Sequence, residues 1–371
     1  MLFILVLACR QEMADVRVPG PATGTPENTE EPVPPTDSDP GYTLTTTPLF
    51  GFIGSPCASD ADCHATGICL LDVEGFPQGM CSEPCDEFCP DAAGFPTTYC
   101  ATVDRMPVAA ESLGEAACTS RCDFSLYPGT GCRENYGCAY AERAGEPGVE
   151  GLVCLPGLES ELSSCLEDLA LRGVGFTTHV IADSSPADHP ELICHVEDPV
   201  KVHTPLLGVE IRYIDSAESA AVAMACEGAH ALADTAEDVG AENVAIFHHY
   251  GTYVCRIIAG TESLSRHAYG DAIDVAAFTF EDGTMWSVLD DWEDGDTSPD
   301  TDGGTWLYDT IHRWDDEDLW NILLTPEFNA AHDNHFHVDL TPGSDFLGVR
   351  GAVPPVGLPV EGFELQEEGR R

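Results

Sequence analysis

The sequence predicts an α+β domain preceded by a disulfide-rich, loop-rich module, and three observations carry that prediction. Twelve of the 17 cysteines fall between residues 57 and 154, about one residue in eight, which is the density of a stapled scaffold. From residue 158 onward the cysteines thin to four. Strand-like and helix-like stretches there alternate without a βαβ rhythm, as expected for helices set against a small antiparallel sheet. The charge is the third observation: 65 Asp+Glu against 15 Lys+Arg give a formal net charge of -50, with a single lysine, Lys201. Such a chain repels nucleic acid, and it contains no apolar run of about 18 residues that would predict a transmembrane helix.

The elements follow in order. Residues 1–9 read as a short apolar run ending in a cysteine and resemble a bacterial lipoprotein signal, with Val6-Leu7-Ala8-Cys9 as the box and Cys9 as the lipidated residue. No basic segment precedes the run, which departs from that pattern. Setting Cys9 aside leaves sixteen cysteines, an even number that can pair fully. Residues 10–50 are rich in Pro, Thr and acids with few core formers, so they are expected to be a disordered tether.

Residues 51–157 form the cysteine-rich module, which resembles EGF-like modules by composition. A weak echo, Cys81-x3-Cys85-Asp86 and Cys118-x3-Cys122-Asp123, runs through it. No C-x2-C pair is present, which argues against structural zinc, and the connectivity cannot be deduced from spacing. Spacer and binding module are both open as its role.

Residues 158–350 carry longer elements. Gly208–Ile214 predicts a strand, and Ala-rich 217–239, capped by Asp215-Ser216 and stopped by Gly240, predicts a long helix. Strands are expected at 243–247, 251–258, 272–278 and 335–340, and a helix at 306–324 with Leu307, Ile311, Trp314 and Leu319 mostly on one face. The expected disulfides are Cys165–Cys194 and Cys226–Cys255, the second stapling the long helix to the Arg256 strand. Residues 281–302, with nine acids and no base, are expected to be a mobile surface loop. At its end Ser298, Asp300 and Asp302, with Gly303 and Asp309 just beyond, faintly echo a calcium loop, although its first and last ligand positions are wrong for one. Residues 351–371 are read as a flexible tail.

Two segments carry the chemistry. In Ser265-Arg266-His267-Ala268-Tyr269-Gly270-Asp271-Ala272-Ile273-Asp274, Gly270 allows a sharp turn between His267 and a strand bearing Asp274. In His332-Asp333-Asn334-His335-Phe336-His337-Val338-Asp339, strand alternation puts His335, His337 and Asp339 on one face and Phe336, Val338 and Leu340 on the other. Two imidazoles and one carboxylate are the protein half of a catalytic zinc set. Lone histidines such as His179, His203 and His312 are read as structural, whereas His248 and His249 adjoin a strand and could line the cleft.

These segments resemble the LAS-type metallopeptidases (lysostaphin, D-Ala-D-Ala carboxypeptidases and hedgehog). Ser265, His267, Gly270, Ala272 and Asp274 match SxHxxGxAxD, and His335-Phe336-His337 matches the HxH form of the murein endopeptidases, with His332 three residues before it. More closely, Tyr253-Val254-Cys255-Arg256, SRHAYGDAIDVAAF and FNAAHDNHFHVD resemble the bacterial extensin-like C-terminal domain family, over roughly 165–342. The resemblance implies a hedgehog/DD-peptidase-like fold and one Zn2+ held by His267, Asp274 and His337. It makes His335 the base or proton shuttle, His332 a second candidate, and Arg256 a reader of a substrate carboxylate or oxyanion. Ser265 and Asp339 would support the ligands by hydrogen bonding.

The function expected is therefore zinc-dependent hydrolysis of peptidoglycan peptides, as endopeptidase or carboxypeptidase. The protein would sit at the cell envelope as an outer-membrane or cell-surface lipoprotein, held to the membrane through its lipid, or be secreted or periplasmic. The alternative is a non-catalytic, metal-containing wall-binding or adhesion lipoprotein. A serine nucleophile lacks its G-x-S-x-G elbow. Calcium is a lesser expectation, and the oligomeric state is not legible.

Overall fold

Short strands closed by disulfides build the first part of the molecule. The computed structural model describes residues 51–295 and 297–349, so Cys9, the tether and the tail lie outside the described residues. Strands β1 (Ile68–Leu70) and β2 (Met80–Ser82), β3 (Thr98–Thr102) and β4 (Ala116–Ser120), and β5 (Tyr136–Glu142) and β6 (Glu150–Pro156) form three two-stranded antiparallel sheets. The cysteines repeat with them. Cys57–Cys69 and Cys63–Cys81 close the first unit, Cys85–Cys100 and Cys89–Cys118 the second, and Cys122–Cys138 and Cys132–Cys154 the third. Each unit joins its first cysteine to its third and its second to its fourth. The last two cysteines of each unit face one another across the strand pair, as Cys69↔Cys81, Cys100↔Cys118 and Cys138↔Cys154, without being bonded together. The echo seen in the sequence, Cys81-x3-Cys85 and Cys118-x3-Cys122, is the junction between successive units.

The second part is built on two sheets. After α1 (Ser164–Leu171), strands β7 (Phe176–Thr178), β8 (Val200–Val202), β9 (Glu210–Tyr213) and β10 (Val222–Met224) appear, of which β7, β8 and β10 make an antiparallel sheet in the order β10-β8-β7. Then come α2 (Cys226–Ala241), β11 (Val244–Gly251), β12 (Ala272–Phe280), β13 (Met285–Ser287), α3 (Val288–Asp291), α4 (Asp302–Asp316), β14 (Ile322–Leu324), β15 (Phe336–Asp339) and β16 (Phe346–Gly348). The larger sheet has seven strands, ordered β16-β14-β15-β12-β11-β9 with β13 on the far part of β12. It is mixed, because β9–β11 and β14–β16 pair in parallel, and this corrects the expected antiparallel sheet.

The fold is α+β with a disulfide-rich N-terminal region. Helix α2 buries Ala229, Leu232, Ala233, Ala236 and Val239, and α4 buries Leu307, Ile311 and Trp314 as its periodicity predicts. The two helices are tied by Asp238, which accepts from Arg313 and from Trp314 Nε1 (2.8 Å). One apolar core runs across the 157/158 boundary. Phe124 stacks on Phe176 at 4.3 Å between ring centres, and the Phe124 N–H donates to the Phe176 carbonyl (2.7 Å).

Four expectations are corrected. The long helix begins at Cys226 rather than 217, because Val222 and Met224 pair with Val202 and Val200 of β8. Non-local strand pairing there overrides the helix propensity of the alanines. That shift decides the disulfides. Cys226 opens α2 beside α1 and bonds Cys165, while Cys194 bonds Cys255, in place of Cys165–Cys194 and Cys226–Cys255. Residues 251–258 are not a strand; instead β11 runs on through His248 and His249 to Gly251, held between β9 and β12. The second helix covers 302–316, and 322–324 is strand β14.

The acidic stretch 281–302 also holds more structure than expected, namely β13 and α3. The Glu293 carboxylate accepts from the Asp300 and Thr301 N–H groups ahead of α4. Asp302 and Asp309 of the calcium echo both lie on α4, about 10 Å apart along its axis.

Candidate metal centre

Strand register gathers the two motif segments. On β12 and β15, Asp274 lies directly opposite His337, and Ala272 opposite Asp339. The alternating side chains Ile273, Val275, Phe336 and Val338 are fully buried on the other face and anchor that register. His267 arrives from a 3-10 turn, Arg266–Tyr269, that the Ser265 hydroxyl caps by accepting the His267 N–H at 3.3 Å. Gly270 ends the turn at φ +71, and its carbonyl accepts the Ala225 N–H (2.8 Å). A side chain there would meet Ala225 N at 2.9 Å, so the position requires glycine twice over.

The three expected ligands converge. His267 Nε2 lies 3.1 Å from Asp274 Oδ1 and 3.2 Å from His337 Nδ1, and His337 Nδ1 lies 3.0 Å from Asp274 Oδ1. Both histidines are buried and their other ring nitrogens are engaged. His267 Nδ1 donates to the Thr252 carbonyl, and His337 Nε2 donates to Asp339 Oδ2 at 3.0 Å. Asp339 is itself held by the Thr341 N–H (2.8 Å) and hydroxyl (2.6 Å).

These acceptors assign the tautomers and leave the lone pairs of His267 Nε2 and His337 Nδ1 facing the Asp274 carboxylate. Burial raises the Asp274 carboxyl, but a proton on either facing imidazole nitrogen, with its hydrogen bond and charge, outweighs it and holds the group well below the usual range. Two lone pairs and a carboxylate at this spacing repel one another unless a cation lies between them. Ligand atoms on a tetrahedral zinc with bonds of about 2.0–2.1 Å sit about 3.3 Å apart, which the triangle fits. Each imidazole braced by an acceptor on its far nitrogen is the arrangement that metal-ligating histidines adopt.

Of the remaining expected residues, His335 and His332 lie beside this triangle. His335 Nε2 is 3.5 Å from Asp274 Oδ1, and its Nδ1 meets Asn334 Oδ1 at 2.8 Å. His332 is buried with its ring centre 5.1 Å from that of His335 and 5.8 Å from that of His337, and its Nδ1 meets Asn329 Oδ1 at 2.9 Å. Arg256 is half-buried, and its carbonyl accepts the Ser265 N–H (3.0 Å), which sets it across a short ladder from the capping serine. The disulfide Cys194–Cys255 fixes the residue before it.

Two further contacts, those of Thr252 and Tyr250, carried no sequence signal. The Thr252 carbonyl works through its backbone. Tyr250 meets His335 edge-on at 6.0 Å. His249 is buried against Tyr213, and that burial, opposed by the Asp274 charge, lowers its pKa to about 4, so it is neutral. His248 bonds the Thr279 hydroxyl at 2.9 Å on the far part of the strand.

No curated protein and no solved structure matches the chain. Residues 163–346, the segment that contains the whole of this centre, match the family described as Extensin-like protein C-terminus, and this part of the chain is an extensin-like domain.

Proposed function

We propose that this domain is a zinc-dependent peptidase of the cell envelope acting on peptidoglycan peptides, with a fold of the hedgehog/DD-peptidase type related to the LAS enzymes. The observation that carries the reading is the triangle of His267 Nε2, Asp274 Oδ1 and His337 Nδ1, with both imidazoles braced from behind. A zinc ion held by these three atoms would supply Lewis acidity, polarising a peptide carbonyl and acidifying water at neutral pH.

The chain's own residues supply the rest. His335, oriented by Asn334, offers a nitrogen at the edge of the Asp274 carboxylate and can take and return a proton. His332 stands behind it. Arg256 is proposed to hold a substrate carboxylate or a developing oxyanion, for which a planar guanidinium is suited. A cavity of about 240 Å³ beside Tyr250, lined also by Ile214, Met285, Asp290 and Asp291, offers carboxylates for an amino group of a stem peptide. Lipidation at Cys9 would keep the domain at the envelope membrane, close to the wall.

A second reading is a metal-containing wall-binding or adhesion protein without turnover. The burial of His267 (1 % exposed) and His337 (0 %) favours it, since buried ligands also suit a structural metal. The test is metal analysis of the purified full chain together with mass spectrometry of muropeptides incubated with it, before and after chelation. About one zinc per chain and cleavage that chelation abolishes and zinc restores would support the peptidase. Zinc without cleavage of any wall-derived peptide would leave the binding reading. No bound metal would sink both.

A further inference from the structure

Away from the metal centre, a cavity of about 200 Å³ lies where the cysteine-rich module meets the three-stranded sheet. Its wall brings together Arg121, Arg143, His179 and Lys201. That is three of the 15 Lys and Arg of a chain with 65 acids, including its only lysine.

Among the described residues, two of these cations have no acceptor. Arg121 is 7 % exposed, its guanidinium lies over the Tyr99 ring at 4.7 Å from the ring centre, and its Nη1 is buried without a hydrogen-bond partner. Arg133 makes the contrast, for it too has no carboxylate partner, yet it donates to the carbonyls of Gly54, Pro77 and Gly79. Lys201, at the centre of β8, has neither an ion pair nor a side-chain hydrogen bond among the described residues. Arg143 pairs with Glu146 at 2.7 Å.

The cavity wall also holds Glu87 and Asp91. The Asp91 Oδ1 is already taken by the Thr98 N–H (2.7 Å) and hydroxyl (2.9 Å). A buried guanidinium that no acceptor satisfies is costly, and in so acidic a chain a carboxylate to pair it would be the commonest of residues. Its retention beside a second unpaired cation points to an acceptor that comes from outside the chain.

We infer that this cavity is a binding site for a small ligand bearing a terminal oxyanion, a carboxylate or a phosphate, which Arg121 and Lys201 bind together. The guanidinium offers paired donors that match either oxyanion, the ammonium a point charge, and Tyr99 holds the guanidinium plane. The exposed Phe88 on the wall gives the rest of the ligand an apolar surface. The volume admits a group the size of an amino acid or one sugar. Nothing in this site depends on the metal.

The test is thermal unfolding of the full chain titrated with inorganic phosphate and, separately, with acetate, at ionic strength held constant with sodium chloride. At least one anion is expected to raise the midpoint saturably. Phosphate alone, acetate alone or both each support the site and name the headgroup. Arg121→Met and Lys201→Met should each weaken the apparent affinity about tenfold, as expected for loss of a charge-assisted hydrogen bond. Arg172→Met, which removes a cation already paired with Asp234 and Glu237, should leave it unchanged. Should Arg121→Met fail to fold, Lys201→Met decides alone, since Lys201 is half-exposed. A midpoint that follows ionic strength only, or an anion response equal in wild type and Lys201→Met, would overturn the inference.

Discussion

The cysteine-rich region and the extensin-like domain reach order by opposite routes. In 51–157, two of the three strand pairings join strands of only three or five residues, far too short to persist alone, and each of the three pairings is closed by two interlocking bridges. Order there is local and covalent. In the domain, His267, Asp274 and His337 come from a turn and two strands up to 70 residues apart, and only the register of β12 against β15 brings them together. Order at this centre is non-local and set by strand pairing, with the domain's two disulfides lying outside the three residues. The difference shows where each region is vulnerable: the module to loss of a bond, the candidate metal centre to a small shift of register or to loss of a brace.

Four experiments would break or sharpen that contrast. The largest effect belongs to the module. Replacing Cys122 and Cys138 together by Ala should cost about 2–4 kcal/mol of stability in denaturant titration, in line with closure of a loop this short. An unchanged midpoint would refute covalent order as the mainstay of this region. Next, Asp339→Asn removes the carboxylate behind His337 but none of the three ligand atoms. Metal affinity should fall about 10–100-fold by competition with a chelating dye while the circular dichroism stays the same. Equal affinity would mean that Asp339 does not brace the ligand.

The third experiment concerns pH. Burial, reinforced by Lys201, Arg121 and Arg143, lowers the His179 pKa to about 3. As pH falls below 6.5 the unfolded chain takes up this proton and the folded chain does not. The His179 contribution is therefore complete above pH 6.5 and is lost progressively down to about 3. His179→Gln should flatten the stability–pH curve across that window by roughly 1–2 kcal/mol, allowing for the ring's remaining hydration. A slope the same in both proteins would assign the acid sensitivity elsewhere. Smallest of all, Arg105→Ala removes an exposed ion pair to Glu161 and should change stability by less than about 1 kcal/mol. A larger loss would mean that non-covalent surface pairs matter in the module after all.

The sequence made the candidate metal centre more legible than the scaffold around it. Alternation with Phe336 and Val338 marks which way His335, His337 and Asp339 face, and the resemblance to the SxHxxGxAxD and HxH motifs is what picks out His267, Asp274 and His337 as candidate ligands. The braces were half legible: Asp339 shares the ligand face, whereas the Thr252 carbonyl leaves no trace in residue type. The helix at 217–239 was misread because alanine favours helix locally, while the pairing of Val222 and Met224 with β8 is set by residues 20 or more positions away. The expected disulfides Cys165–Cys194 and Cys226–Cys255 followed that error, since a helix that starts at Cys226 aims it at Cys165 of α1. The threefold pattern in the module was visible only as a spacing of three between Cys81 and Cys85 and between Cys118 and Cys122. Its 1–3, 2–4 bonding needs the strand pairs to become apparent.

Lys201 has one more consequence. As the only lysine in the sequence, half-exposed at the middle of β8, it is the single side-chain amine open to acylating reagents. Any internal adduct found by peptide mapping therefore reports on one address. Its rate of formation would register whether the neighbouring cavity is filled, in unmodified protein and in a cell extract alike, with no substitution introduced.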